Sequence, residues 1–99
     1  MKRAVRVLRR AETDLQQIYD LILREAPARA ERFIDGVLDA IQGLDALAER
    51  GPRPRDPTLR ARGFRFLVHG DYLVFYKVLP RQVRVYRVLH GRRAYRGLL

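Results

Sequence analysis

The spacing of apolar residues changes along this chain, and each change predicts a change of secondary structure. Residues 4–8, AVRVL, alternate apolar side chains with arginine at a period of two, which is typical of a short strand. The next apolar positions recur every three or four residues, as on one face of a helix: Leu15, Ile18, Tyr19 and Ile22. Thr13 and Gln16 have capping-box spacing, so we predict a helix that begins at Thr13 and ends near residues 25–26.

A second apolar stripe predicts another helix. Pro27 suits the first helical turn, where its missing N–H would have no partner in any case. The stripe that follows has helical spacing and comprises Ala30, Phe33, Ile34, Val37, Leu38, Ile41, Leu44 and Leu47. We expect Gly51 to end this helix, and Gly36 and Gly43 to let another helix approach closely. The proline-rich residues 51–62 predict a loop without helix or central strand.

The second half of the chain predicts three consecutive strands. Residues 63–69, 72–79 and 82–90 are rich in β-branched and aromatic residues, and Gly70-Asp71 and Pro80-Arg81 predict the turns between them. If side chains alternate along the last strand, one side of it carries Val83, Val85, Arg87 and Leu89.

These elements predict an α+β fold in the order β-α-α-β-β-β. Two amphipathic helices with a short link form a helical hairpin, which needs a sheet to cover its apolar stripe. We therefore expect the hairpin to pack on one face of a curled antiparallel sheet. Residues 1–99 are expected to form one domain, in which residues 94–99 are loosely held.

Composition narrows the chemistry that is available. The chain has 99 residues and no cysteine, so disulfides, thiolate catalysis and cysteine-based metal sites are excluded. A glycine-rich phosphate motif is missing, and His69 and His90 lack clustered acids, so we predict no metal site and no cofactor. No apolar run approaches the roughly 18–20 residues that span a bilayer, so we expect a cytoplasmic protein without membrane contact.

Charge is distributed unevenly along the chain. The formal net charge is +10, and 19 of the 21 cationic residues are arginine. Residues 1–10 carry +5, residues 11–49 carry −6 and residues 50–99 carry +11. A basic sheet half attracts polyanions and acidic protein segments, and arginine binds phosphate and carboxylate groups bidentately.

A set of motifs spread over nearly the whole chain carries a family resemblance. The first helix contains Asp14-Leu15, the sheet begins with Phe64-Arg65, residues 72–78 read YLVFYKV, and residues 87–93 read RVLHGRR. With these motifs the chain resembles the RelE/ParE superfamily of bacterial toxins, and its ParE branch most. The resemblance implies a type II toxin held inactive in a hetero-oligomer with a cognate antitoxin, whose acidic amphipathic segment folds as it docks.

The superfamily divides between two mechanisms. RelE-like members cut mRNA on the ribosome, which requires proton transfer and stabilisation of a charged phosphorane. The candidate groups for that reaction here are Arg65, Arg87, His90 and Tyr95. A good general base is missing, because Asp56 and Asp71 lie in a predicted loop and turn and arginine has too high a pKa.

ParE-like members instead bind DNA gyrase and trap it on cleaved DNA, which requires a binding surface rather than an acid–base pair. We therefore favour gyrase with DNA as the target. The alternatives are a ribosome-dependent mRNA endonuclease and a non-toxic basic domain that binds nucleic acid.

The residues expected to contact the target or the antitoxin lie toward the end of the chain. They are Arg60, Arg65, Arg87, His90, Arg92 and Arg93. We expect the sheet to bring the histidine and several of these guanidinium groups to a common open rim. Two structural interpretations stay open, since Arg87 can pair with a helical carboxylate such as Asp14 or Asp20, and His90 can bond a neighbouring backbone group.

Overall fold

The computed structural model describes residues 2–93 and 95–99. Within them, four strands form one sheet in the order β1-β4-β3-β2. The strands are β1 (Ala4–Val7), β2 (Phe64–His69), β3 (Tyr72–Val78) and β4 (Gln82–His90). The α+β class and the predicted order of helices and strands are confirmed.

The direction of β1 makes the sheet mixed rather than wholly antiparallel. The strands β2, β3 and β4 form the predicted antiparallel meander. However, β1 pairs with β4 in parallel, with Val5 opposite Val83 and Val7 opposite Val85. Hydrophobic alternation indicates a strand but contains no information about its neighbour or its direction, so the sequence did not distinguish these arrangements.

The helical hairpin consists of α1 (Arg9–Glu25) and α2 (Pro27–Gln42). The predicted cap at Thr13 is wrong, because α1 begins four residues earlier, after Leu8, without a side-chain cap. The Leu8 N–H donates to the Val85 carbonyl at 3.0 Å, and the Leu8 carbonyl accepts from Glu12 N–H at 3.0 Å. The helix therefore starts where β1 leaves the sheet, and this tertiary contact replaces a capping side chain.

The segment after α2 also differs from its prediction. The helix ends at Gln42 rather than at Gly51, and a 3₁₀ turn (Gly43–Asp45) follows. A short helix, α3 (Pro57–Ala61), lies within residues 51–62, for which we predicted only a loop. Asp56 caps this helix by accepting from Leu59 N–H at 3.0 Å, and Pro57 occupies its first turn.

Each face of the sheet has its own apolar cluster. Both helices pack against one face, and the cluster there includes Leu15, Val37, Val74 and Tyr76. On the opposite face, α3 and the end of the chain cover a second cluster, whose buried members are Leu59, Phe64, Phe75 and Leu89.

Residues 95–99 pack against this second cluster, although we predicted that they are loosely held. The Tyr95 ring lies 4.9 Å from the Phe75 ring, and Leu98 and Leu99 contact the same cluster. Ala94, which belonged to the same prediction, lies outside the described residues. Contacts to the sheet therefore hold the described end of the chain in place.

The predicted role of Gly36 and Gly43 in helix packing is wrong. A Cβ atom on Gly36 would lie 3.0 Å from the His69 imidazole, so this glycine makes room for a side chain from the sheet. A Cβ atom on Gly43 would approach only the Arg50 guanidinium, at 3.8 Å.

Within residues 2–93 and 95–99, no helix is long and apolar enough to cross a membrane.

Candidate functional site

A β-bulge in β4 determines where Arg87 lies. Phe75 pairs with Arg87 and Tyr76 pairs with Val85, so Tyr86 has no opposite residue on β3. The extra residue reverses the alternation of sides along β4. Val88 consequently joins Val83 in the cluster under the helices. The prediction that Arg87 and Val85 share one side of β4 is therefore wrong.

The Arg87 guanidinium is buried against the Asp14 carboxylate of α1. Its Nε donates to Asp14 Oδ2 at 2.8 Å and its Nη2 donates to Asp14 Oδ1 at 2.9 Å. Asp14 Oδ2 also accepts from Val88 N–H at 2.9 Å, and Arg87 Nη1 donates to the Leu98 carbonyl at 3.1 Å. The hydrogen bonds to Asp14 raise the pKa of Arg87 above its ordinary value. The structural interpretation of Arg87 as a partner of Asp14 is confirmed.

His90 ends β4 beside a row of aromatic rings. Its ring lies edge-on to Tyr72 at 5.4 Å, Tyr72 contacts Phe33 at 5.5 Å, and Phe33 contacts His69 at 5.3 Å. Its Nδ1 accepts from Arg92 N–H at 3.1 Å. The second structural interpretation, a histidine that bonds a neighbouring backbone group, is therefore also confirmed. Burial raises the pKa of the Tyr72 phenol, and Asp71 adds to the rise.

Arg65 and Arg60 lie together at the other end of the sheet. Arg65 Nη1 donates to the carbonyls of Glu49 at 3.2 Å and Gly51 at 2.8 Å, which ties β2 to the segment after α2. Arg60 is exposed on α3. Both line a groove of about 510 Å³ with Arg3 and Arg53, which we call the arginine groove. Glu49 is the one acidic residue among its described lining residues.

Arg92 and Arg93 are exposed in the turn that follows β4. Arg93 lines a shallow groove of about 250 Å³ that also includes Leu21, Tyr72 and His90. The side chains of this pair are consequently open to a partner.

The sheet does not bring these residues to one rim, in contrast to our prediction. Arg65 pairs with Tyr76 and His90 pairs with Tyr72, so the two lie four positions apart along β3, about 13 Å at the usual strand rise. Arg87 is opposite Phe75, and its guanidinium lies against Asp14 of α1, away from both Arg65 and His90. The structure brings together Arg60 with Arg65, and His90 with Arg92 and Arg93, as two separate sites.

Sequence reasoning overlooked three cations that face away from the helices. Arg6, Arg84 and Lys77 occupy adjacent positions on β1, β4 and β3. In the sequence, Arg6 and Arg84 each stand between two valines, which could have indicated that they share the face opposite the core. The pairing of distant strands that makes them neighbours has no local signal.

Among residues 2–93 and 95–99, no three His, Asp or Glu side chains are grouped so that they could hold a metal ion. The exposed arginines of these residues can bind anions.

Three comparisons with known proteins agree with one another. A family model described as the ParE toxin of the type II toxin–antitoxin system parDE matches residues 5–95. Toxin RelE3 of Caulobacter vibrioides is 32% identical over 82 residues, which cover 83% of this chain and 87% of that protein. A chain of the chromosomal ParDE toxin–antitoxin system from P. aeruginosa has a similar fold, with a TM-score of 0.76 and 19% identity. That similarity covers 90% of this chain and 96% of the other.

Proposed function

The chain belongs to the ParE toxin family of type II toxin–antitoxin systems, and on that premise we propose that it acts by trapping DNA gyrase on cleaved DNA. We further propose that a cognate antitoxin neutralises it by forming a hetero-oligomer. Since gyrase acts on cytoplasmic DNA, the proposed site of action is the cytoplasm.

The proposal of gyrase as the target rests on one observation. The four groups that an endonuclease would use are held apart or engaged in other contacts. Arg87 is bonded to Asp14, Arg65 to two backbone carbonyls, and the Tyr95 ring is packed on Phe75. His90 of β4 and Arg65 of β2 lie on opposite sides of β3 and about 13 Å apart in the direction of that strand. Proton transfer within one substrate requires groups within hydrogen-bond reach of the same atoms. Their separation favours a toxin that acts through a binding surface.

Exposed arginines provide such a surface. The side chains of Arg60, Arg92 and Arg93 are exposed, and none has an ion pair within the described residues. Arginine is enriched among the residues that contribute most to protein–protein binding. We assign these three residues to contacts with the target.

A largely apolar groove on the helical hairpin supports the proposed antitoxin. It has a volume of about 490 Å³, and Leu15, Ile34 and Leu38 line it. Glu12 and Glu31 line it as well, which favours apolar or basic residues of a partner at this place. Leu38 is 44% exposed although it belongs to the apolar stripe of α2. An amphipathic segment of a partner would bury this leucine, and the acidic residues of the same segment would be attracted to the basic sheet.

A supercoiling assay tests the proposed target. Purified protein in excess over gyrase, with ATP and relaxed plasmid, is expected to accumulate linear DNA after the gyrase is denatured, in place of the supercoiled product. The double variant Arg92→Ala/Arg93→Ala should require about tenfold more protein for the same effect, because two exposed contacts are lost. The matched control is Arg24→Ala/Arg29→Ala, which removes two exposed arginines from the helices and should behave like the original protein.

Normal supercoiling without linear DNA at toxin excess would reject gyrase as the target. Codon-spaced cuts in translated mRNA, found by primer extension and suppressed by His90→Ala, would instead establish the endonuclease. Normal growth of cells that express the protein without a partner would support a non-toxic nucleic-acid-binding domain.

A further inference from the structure

Cationic side chains cross the sheet in one row, on the face away from α1 and α2. Arg6 of β1 pairs with Arg84 of β4, Arg84 pairs with Lys77 of β3, and Lys77 pairs with Phe64 of β2. Val83 and Val85, on either side of Arg84, belong to the cluster under the helices, so Arg84 faces the opposite way. We call Arg6, Arg84, Lys77 and the neighbouring Arg62 the cationic row.

Two aromatic rings hold the cations of this row in place. Lys77 Nζ lies 4.6 Å from the centre of the Phe64 ring and 5.2 Å from the centre of the Tyr86 ring. Arg62 Cζ lies 5.2 Å from the centre of the same Phe64 ring. Contacts of this kind fix a cation over a ring without neutralising its charge, so the charge of Lys77 stays available to a ligand. Arg62 Nη2 also donates to the Leu99 main-chain oxygen at 2.8 Å.

Repulsion within the cationic row destabilises the free protein. Like charges directly opposite each other on neighbouring strands are destabilising, and here Arg84 lies opposite both Arg6 and Lys77. The ion pairs found among the described residues involve none of the four cations. In addition, Arg84 Nε is buried without a hydrogen-bond acceptor among the described residues. A bound anion would relieve the repulsion between the like charges.

The dimensions of the row favour a polyanion. Neighbouring strands lie about 4.8 Å apart, so the distance from Arg6 across to Phe64 is about 14 Å. That length exceeds a single phosphate or carboxylate group and fits several charges along one chain. The half-buried Tyr86 ring beside the row could stack with a base, as aromatic residues do in proteins that bind single-stranded nucleic acid.

The surroundings favour nucleic acid over an acidic amphipathic peptide. The Phe64 ring beside Lys77 is fully buried. The groove of about 220 Å³ that Tyr86 lines with Leu8, Leu98 and Leu99 also carries Arg9 and Arg10, so cations border its apolar surface. The arginine groove lies at the same end of the sheet, because Arg65 directly follows Phe64 and the groove also includes Val78, the residue after Lys77. A phosphodiester backbone needs closely spaced cations rather than apolar pockets.

We propose that the cationic row binds the sugar–phosphate backbone of DNA. Its biological setting rests on the proposed function, because a toxin that traps gyrase on cleaved DNA acts beside an exposed DNA backbone. The binding itself requires only this chain and DNA. The two ideas can therefore be tested separately.

The test measures DNA affinity by fluorescence anisotropy with a short labelled single strand and the matching duplex. The variant is Arg6→Gln/Lys77→Gln/Arg84→Gln, and the control is Arg24→Gln/Arg29→Gln/Arg32→Gln, which removes the same charge from exposed helical positions. In 0.1 M salt, the variant should bind the single strand about tenfold to a hundredfold more weakly, because each lost phosphate contact removes about 0.7 from the salt slope. The control should stay within about twofold of the original protein, since its arginines lie outside the row.

The same variants exclude a purely structural role for the row. Removal of like charges should leave the melting temperature equal or higher, because repulsion on the sheet is relieved. If the triple variant unfolds early, the exposed single variant Arg6→Gln replaces it, with Arg24→Gln as its control.

Equal weakening of DNA binding by the row variant and the control would overturn the proposal, since only net charge would then matter. Tighter, row-dependent binding of polyglutamate than of DNA would overturn it in favour of an acidic peptide. Row-dependent DNA binding by a protein that leaves gyrase unaffected would sustain this inference and reject the proposed function. Gyrase trapping by a protein whose DNA affinity does not depend on the row would sustain the proposed function and reject this inference.

Discussion

At the scale of single residues, the Asp14 carboxylate has the largest structural role. The strand β1 ends at Val7, so the edge of β4 beyond Val85 loses its neighbouring strand. Asp14 replaces that neighbour by accepting from Val88 N–H and by pairing with Arg87. A side chain from α1 therefore completes the hydrogen bonding of the sheet and joins the two layers.

This role predicts the outcome of Arg87→Ala. The substitution leaves the buried Asp14 carboxylate without its counter-charge, so the free energy of unfolding should fall by about 3–5 kcal/mol in urea denaturation. In the double variant with Asp14→Ala, the loss should be smaller than the sum of the single losses, because both substitutions remove one shared interaction.

Arg24→Ala serves as the control, since this arginine is exposed and its loss should change stability by less than about 0.5 kcal/mol. A similarly small loss for Arg87→Ala would contradict the assigned role of the pair. Because the substitution destabilises the fold, a loss of toxicity in Arg87→Ala is evidence of a contact with the target only if the variant remains folded.

A buried phenol links β3 to the segment between α2 and α3. The Tyr76 hydroxyl donates to the Ala48 carbonyl at 2.8 Å and accepts from Gly51 N–H at 3.0 Å. Tyr76→Phe leaves both backbone groups without this partner, so unfolding free energy at neutral pH should fall by about 1–3 kcal/mol. Tyr86→Phe is the control, because its ring is only half-buried.

The same phenol makes the free energy of unfolding depend on pH. Burial raises the pKa of Tyr76 above its ordinary value of 10.0, which favours the neutral phenol in the folded state. This contribution is fully present below pH 10.0 and is lost as the pH rises through the higher value of the folded state. Urea denaturation at alkaline pH should show a shallower decline for Tyr76→Phe than for the original protein. Parallel declines would mean that other groups dominate.

At the scale of elements, the turn between β2 and β3 depends on backbone conformation. Gly70 has a φ of +58°, at the first central position of a two-residue turn between His69 and Tyr72. Glycine is favoured at this position in type II′ turns, which match the twist of the flanking strands. The turn prediction from Gly70-Asp71 is therefore confirmed, with a physical reason.

Substitutions at Gly70 separate backbone strain from packing. A Cβ atom there would contact only Phe33 at 3.5 Å, an ordinary van der Waals distance. Gly70→Ala should therefore destabilise the protein by about 1–2 kcal/mol through its left-handed backbone alone. Gly97→Ala is the control, because its Cβ atom would have open space and its backbone has no positive φ. Equal losses for Gly70→Ala and Gly97→Ala in thermal denaturation would contradict this explanation.

At the scale of the whole molecule, different surfaces suit different partners. The helical hairpin has an apolar groove, the far end of the sheet carries Arg92 and Arg93, and the opposite end carries the arginine groove and the cationic row. The proposed antitoxin, gyrase and DNA would each contact a distinct set of side chains on these surfaces. The proposed functions follow from this distribution rather than from one catalytic centre.

Local sequence signals predicted the elements and their order. The apolar stripe of α2, the glycine turn at residue 70 and the alternation of the strands depend on neighbouring residues, so a reader of the sequence can recognise them. Family motifs added the toxin identity, since they preserve residue types in order along the chain.

Contacts between distant segments determined the strand pairing, the helix start and the neighbours of the candidate site residues. The parallel pairing of β1, the start of α1 at Arg9 and the bulge at Tyr86 depend on which segments meet in the folded chain. The bulge placed Arg87 on the side opposite Val85, and strand pairing made Arg6, Arg84 and Lys77 neighbours. Periodicity specifies which side of an element a residue occupies, but only the packed sheet determines what lies beside it.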